Sequence, residues 1–346
     1  MTKKNEDKKE KYAASRPFQI ILILISGLII AWMLSKPIVG FKSTDEYPEI
    51  VPLTPKKIIK FGGAPSIVDI GMYIRDFSEF DMVKGIFVAD LTLWFKFDPL
   101  VLSLDRIGKF TFDGAKILKK SKPYTKIESD KLVANYDMRI EFKGQLNYKN
   151  FPFDDHRVNF PLTNYFLTPS EANFESTESD FILNPKLKIA GWRYIDKGLK
   201  TGYVEYKLGI KGSKIHPRIV FYLDFARVGT RHIITILIPL IIVFFISLFT
   251  LTFDPYVFAI SNIISISIAS ISAVIAHRFI MESMSPKAGY FMISDKLFLL
   301  YLVVCSVIFV VNIFSRKIPG FYKNILSLIL HVATLAYIAY IFKPLI

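Results

Sequence analysis

Two textures divide the chain. Across residues 49–227 apolar and polar positions alternate with period two, whereas residues 232–346 are almost wholly apolar. Tyr136, Met138, Ile140 and Phe142 are interleaved with Asp137, Arg139, Glu141 and Lys143. Phe87, Ala89, Leu91, Leu93 and Phe95 form a second run, Ile219, Phe221, Leu223 and Phe225 a third, and Val204, Tyr206, Leu208 and Ile210 a fourth. Every second residue of a strand lies on one face, so these runs predict half-buried antiparallel strands that share a core. Turn clusters at Asp113-Gly114, Lys211-Gly212-Ser213 and His216-Pro217 separate them, and no helix of more than three turns is evident. Many short strands in one segment favour a β-sandwich over a barrel.

The last third holds four apolar stretches, at about 233–253, 256–279, 296–314 and 322–342. Each is near the ~20 residues a helix needs to cross hydrocarbon. Only Asp254-Pro255 separates the first two, which predicts antiparallel neighbours. A fifth stretch, 18–34, follows a head carrying Lys3, Lys4, Lys8, Lys9, Lys11 and Arg16 against Glu6, Asp7 and Glu10, the pattern of a secretory signal or a signal-anchor. No small-residue cleavage site follows it, because the chain continues Ser35-Lys36-Pro37; a retained anchor is favoured, and a cleaved signal peptide stays open. Arg316, Lys317 and Lys323 lie between the last two stretches, and basic short loops stay in the cytoplasm. The segment 42–231 and the carboxyl terminus are therefore expected outside. The organisation read from this pattern is a basic head with anchor or signal peptide, 1–41; an extracytoplasmic antiparallel β-sandwich that senses a ligand, 42–231; and a four-helix transmembrane bundle, 232–346.

Composition narrows the class. With 52% hydrophobic residues and one Cys in 346 residues, the chain is neither a disordered tail nor a disulfide scaffold. Cys305 falls in a membrane stretch with no partner, so the outer segment is expected to rely on its core alone. The net charge of +14 belongs to the cytoplasmic flanks and the outer surface, and an outward-facing domain argues against nucleic acid as a partner. Gly-rich phosphate loops, Cys/His metal spacings and a Ser nucleophile elbow are absent, so no enzyme, cofactor or metal is expected. His156 beside Asp154 and Asp155 is the nearest thing to a metal or acid–base cluster, and charged residues in a turn are expected to be merely solvated.

The most polar membrane stretch is 261–275. Ser261, Ser265, Ile268, Ser272 and Ile275 recur at steps of four and three, which puts them on one stripe of a helix. A stripe of Ser265, Ala269, Ser272 and Ala276 fits nearly as well, and both registers remain open. Rings of hydroxyls can replace part of an ion's hydration, and rings of isoleucine can gate by dewetting. Ser267 and Ser270 lie opposite, where a hydroxyl serves helix packing or bonds back to its own backbone.

The segment Tyr148-Lys149-Asn150-Phe151-Pro152-Phe153-Asp154-Asp155-His156 resembles the signature loop of the pentameric ligand-gated ion channels, the Cys-loop receptor family, in its prokaryotic form without the bridging cysteines. Asp69-Ile70-Gly71-Met72-Tyr73-Ile74 followed by Ala89-Asp90-Leu91-Thr92-Leu93-Trp94 is similar to the family's first two strands, and Gly191-Trp192 to a pair before the strands flanking its ligand loop. Arg227, twelve residues before Pro239, and Ser285-Pro286-Lys287 after the polar helix fall in the family's order. The resemblance covers about residues 50–346. It implies a homopentamer in a bacterial inner membrane, with a periplasmic or extracellular domain sensing a small ligand or protons. The second channel helix would line the pore for inorganic ions, and Pro152, Asp154, Arg227 and Pro286 would couple sensing to gating.

Departures qualify that picture. Where cation-selective relatives carry an acidic residue at the cytoplasmic mouth, this chain has Val257 and Phe258, with Asp254 the only charge nearby. The resemblance places Tyr165, Tyr206 and Trp94 as candidate ligand aromatics, able to hold a cation, yet the loop 211–216 lacks aromatics. His232 and His277, near the expected membrane boundary, are candidates for proton sensing. A non-conducting membrane sensor or adaptor on the same fold is the alternative reading.

Overall fold

The computed structural model describes residues 12–36, 41–62, 64–144, 146–207, 213–228 and 230–343. Contacts divide the chain into two units. Phe41–Asn147 and Asp155–Arg227 form a β-rich unit. The amino-terminal helix, Tyr148–Asp154 and the chain from Val228 onward form a helical one. The loop 148–154 thus belongs with the helices, where the sequence had placed all of 42–231 in one domain.

In the β unit β1 (Ser66–Asp81), β2 (Ile86–Phe97), β4 (Ala115–Lys120), β5 (Tyr124–Glu128), β6 (Lys131–Lys143), β8 (Ala172–Glu175) and β9 (Phe181–Leu183) form a seven-stranded sheet. Its main order is β4-β6-β2-β1-β8, with β5 on β6 and β9 on β1. The strands β3 (Phe110–Phe112), β7 (His156–Asn164), β10 (Trp192–Lys207) and β11 (Ser213–Arg227) form a second sheet in the order β10-β11-β7-β3. Pairing is antiparallel except that β8 and β9 run parallel to β1. This departs from the all-antiparallel expectation because the chain reaches β8 by crossing from β7 in the other sheet, and a crossover permits the parallel sense that a hairpin forbids. Two short helices, α2 (Pro55–Lys60) and α3 (Leu104–Ile107), and a 3-10 turn, Glu178–Asp180, also belong to the unit.

The alternating runs bury one face each. Phe87, Ala89, Leu91, Leu93 and Phe95 of β2, with Tyr136, Met138, Ile140 and Phe142 of β6, join Phe160 and Leu162 of β7 and Ile219, Phe221, Leu223 and Phe225 of β11 in a single core. Both sheets therefore turn their apolar faces to one another. Each wholly buried Phe contributes roughly 1.5–3 kcal/mol by leaving water. Leu208, Ile210, Lys211 and Gly212 lie outside the described residues, as does the His232 side chain.

Residues 41–54 are laid along the smaller sheet as an extended strap. Val51 and Tyr203 exchange backbone hydrogen bonds of 2.8 and 3.0 Å, and Ser43 bridges Asp155. Gly202 permits this approach, since a Cβ there would run into the Val51 carbonyl.

The helical unit contains α1 (Arg16–Ser35), α4 (Thr230–Phe249), α5 (Ile260–Met284), α6 (Ile293–Ile313) and α7 (Gly320–Phe342). Among the described residues five spans are long and apolar enough to cross a membrane, so this is a multi-pass membrane protein with a β-rich domain. The connection from α4 to α5 is longer than the two residues expected. A 3-10 turn, Thr250–Thr252, closes α4; the Asp254 carbonyl then accepts the amides of Val257 and Phe258 at 3.1 and 2.8 Å. The Asp254 carboxylate accepts the Tyr256 amide at 2.8 Å. That turn keeps 253–259 out of the helix, although hydropathy alone would begin the span at 256.

Buried polar groups tie the helices together. Asn312 Nδ2 of α6 donates to Thr250 Oγ1 at 2.7 Å and to Ser267 Oγ of α5 at 2.8 Å. Arg278 of α5 pairs with Asp295 of α6, and a His277 ring nitrogen lies 2.9 Å from the Ile236 carbonyl of α4. Intramembrane hydrogen bonds of this kind average about 0.6 kcal/mol each. Cys305 is a buried free thiol.

Candidate functional site

Helix α5 is packed on one side only. Ile263, Ser267, Ser270, Val274, His277 and Met281 are buried, at helical spacing. Ser267 and Ser270 donate to the carbonyls of Ile263 and Ile266, both at 3.0 Å, which satisfies their hydroxyls inside the helix. The opposite face carries Ser261, Ser265, Ile268, Ser272 and Ile275, all exposed, with Ile268 at 48% and Ile275 at 47%. Ala269 and Ala276 are exposed as well, so the second register shares this open face.

At the amino-terminal end of α5 the residues foreseen as a mouth separate. Val257 and Phe258 are exposed on the turn that precedes the helix. Asp254 is only 7% exposed. Its carboxylate is engaged by the Tyr256 amide and lies within Coulombic reach of the buried Lys323 ammonium. The lone acidic charge is therefore spent inside the chain and is not displayed as a free carboxylate.

The loop 148–154 caps α6. The first amides of a helix lack intrahelical acceptors; here the Ile293 amide donates to the Lys149 carbonyl at 3.0 Å and Ser294 to the Phe151 carbonyl at 3.2 Å. Tyr290, in the link after Pro286, accepts the Tyr148 amide on its hydroxyl at 2.8 Å. Phe153 meets Phe342 of α7 edge-on, with ring centroids 5.1 Å apart. Pro152, Asp154 and Pro286 belong to this unit and are all buried in the intact chain. Arg227 ends β11 in the other unit, its guanidinium 4.4 Å from the centroid of the Trp192 ring and its amide donating to Asp155 at 3.3 Å.

The base of that loop is held by a residue that sequence reasoning missed. Asp45 of the strap accepts the Asn147 amide at 2.6 Å, the Arg157 amide at 2.8 Å and the Ser43 hydroxyl at 2.9 Å. It also lies 3.0 Å from His156 Nδ1. Positions 147 and 156–157, the two flanks of the loop, thus converge on one carboxylate. His156 is wholly buried, contrary to the expectation of a solvated turn. Nothing near 41–54 announced this in the sequence, because the contact spans more than a hundred residues.

Tyr165 and Tyr206 do come together. Their hydroxyls are 2.6 Å apart and their ring centroids 5.4 Å. Asp113, read only as a turn residue, accepts from Tyr165 at 2.8 Å, Thr163 at 2.9 Å and Tyr206 at 3.2 Å, and pairs with Arg218. Arg218, 4% exposed, also donates to the Glu49 carbonyl of the strap at 2.7 Å, and His216 lies edge-on to Tyr165. Trp94 is not part of this cluster. It sits on the outer face of the larger sheet, and its ring fills the space that a side chain at Gly71 would need.

Burial raises the Tyr165 phenol above the ordinary tyrosine range, and the hydrogen bonds with Tyr206 and Asp113 push the same way. The unfolded chain releases that proton near pH 10, while the folded chain keeps it. Stability is therefore full below about pH 10 and falls above it. Denaturant midpoints measured against pH should decline less steeply for Tyr165→Phe than for the native protein.

Among the described residues no group of three His, Cys, Asp or Glu side chains is placed to hold a metal. Compared with known proteins, the chain matches no family model and no curated protein.

Proposed function

We propose that the chain assembles as a homopentameric ion channel in a bacterial inner membrane, its β unit facing outward to sense a small ligand or protons. The observation that carries this reading is the open face of α5. A span-length helix leaves Ser261, Ser265, Ile268, Ser272 and Ile275 unpacked by its own chain while its other face is closed by α4 and α6. Five such faces about an axis make alternating hydroxyl and isoleucine rings, a hydrated path with apolar constrictions. In this reading Asp154 and Arg227, with the link around Pro286, carry the response of the β unit to α5. The Tyr165–Tyr206–Asp113–Arg218 cluster is the sensing candidate.

The test is current recording from purified protein in planar bilayers while external pH is stepped from neutral to acidic. Discrete currents are expected, and Ile268→Ala, which widens an apolar ring, should add a leak in the resting state. A silent native protein whose Ile268→Ala form is equally silent would sink the channel reading. One feature favours a second reading, a non-conducting sensor: the engaged Asp254 and the apolar Val257 and Phe258 leave the α5 entrance without a free acidic group.

A further inference from the structure

Helix α1 is an apolar span with two misfits, Gln19 and Ser26, both buried. Ser26 bonds back to its own helix. Gln19 reaches α7: its Oε1 accepts the Ser327 hydroxyl at 2.5 Å and its Nε2 donates to Asn324 Oδ1 at 3.4 Å. The same Asn324 oxygen accepts the Ser15 amide at 3.0 Å, and the Ala14 amide donates to the Leu251 carbonyl at 3.1 Å, in the turn that ends α4. Helix α7 opens with Gly320, where a Cβ would collide with the Ala13 carbonyl. Moreover, α7 packs more extensively on α1 than on α6.

We infer that α1 is a permanent fifth membrane helix, latched to α7 through Gln19, Asn324 and Ser327 and to the end of α4 through Ala14, and not a leader removed after export. The polar residues match across the seam. Without α1, Asn324 and Ser327 would turn toward hydrocarbon, where unsatisfied groups are costly, and α7 would lose its principal neighbour. Through Leu251 the latch also steadies the connection that leads into α5. The inference does not depend on whether the chain conducts.

The test uses the full-length protein with a protease site introduced within residues 37–40. Intact mass of protein isolated from membranes should include α1, and after cutting in mild detergent the α1 fragment should co-elute with the remainder. Gln19→Leu combined with Asn324→Leu should lower its retention about twentyfold, the factor for the three intramembrane hydrogen bonds lost with the two side chains, and Ser327→Ala alone about threefold. The single variant keeps the test decisive where the double one fails to assemble. A mature protein beginning after residue 36, a native fragment that parts from the rest, or undiminished retention in both variants would each overturn the inference.

Discussion

Asp45→Ala is expected to lower the melting temperature of the β unit by about 10 °C. The carboxylate is 2% exposed and accepts from two backbone amides and a hydroxyl while facing the buried His156 ring. Alanine leaves those donors in place, dry and without their acceptor. Hydrogen bonds to a charged group contribute about 1.5–3 kcal/mol each, and removing one member of a buried charged constellation costs about 3–5 kcal/mol. For a domain of this size each kcal/mol moves the midpoint by about 2–4 °C. Fluorescence of Trp192, whose ring centroid is 5.5 Å from that of His156, gives a local readout. Asp45→Asn, which keeps one acceptor oxygen, should recover about half the loss. A melting curve unchanged in Asp45→Ala would mean that the strap does not hold the loop base.

Arg218→Leu should cost about 3 kcal/mol, because it breaks the ion pair between a guanidinium that is 4% exposed and Asp113, whose side chain is 21% exposed. Three further contacts vanish with the guanidinium, to Thr163, Tyr206 and the Glu49 carbonyl. The informative comparison is the double variant Asp113→Leu with Arg218→Leu. Removing both charges leaves Tyr165 and Tyr206 to bond each other, and most of the lost stability should return. Denaturant unfolding of the native protein, both single variants and the double one closes the cycle. Simple addition of the two single costs would show that the pair is not coupled.

How much of this was legible beforehand depended on the range of the interaction. Alternation located β2, β6 and β11 because each strand presents one face to a core, a property written in every second residue, as at Phe87 to Phe95. The membrane spans were readable for the same local reason, hydropathy summed over a helix length. The start of α5 was not: Tyr256, Val257 and Phe258 are apolar, and only the Asp254 turn, a hydrogen-bond pattern, excludes them from the helix. The pairing of Tyr165 with Tyr206 could be anticipated through the resemblance. Arg218 and Asp113, which tie up their hydroxyls, could not, since a charged residue on an outward strand face reads as solvated unless a covering segment is known. Asp45 lay deeper still. A buried His156 calls for an acceptor, but nothing in the sequence says that one waits in the strap.

The membership of 148–154 in the helical unit has a practical side for anyone cutting this protein apart. A soluble fragment of 42–231 would carry away Phe151, wholly buried in the intact chain, and Phe153, which packs on Phe342. Freed from the helices, the loop would present Phe153 without the ring it packs on, a sticky apolar finger that favours aggregation. A well-behaved fragment of the β unit therefore requires that finger to be rewritten with polar residues between Asn147 and Asp155, while Asp45 and both flanks it grips are left untouched.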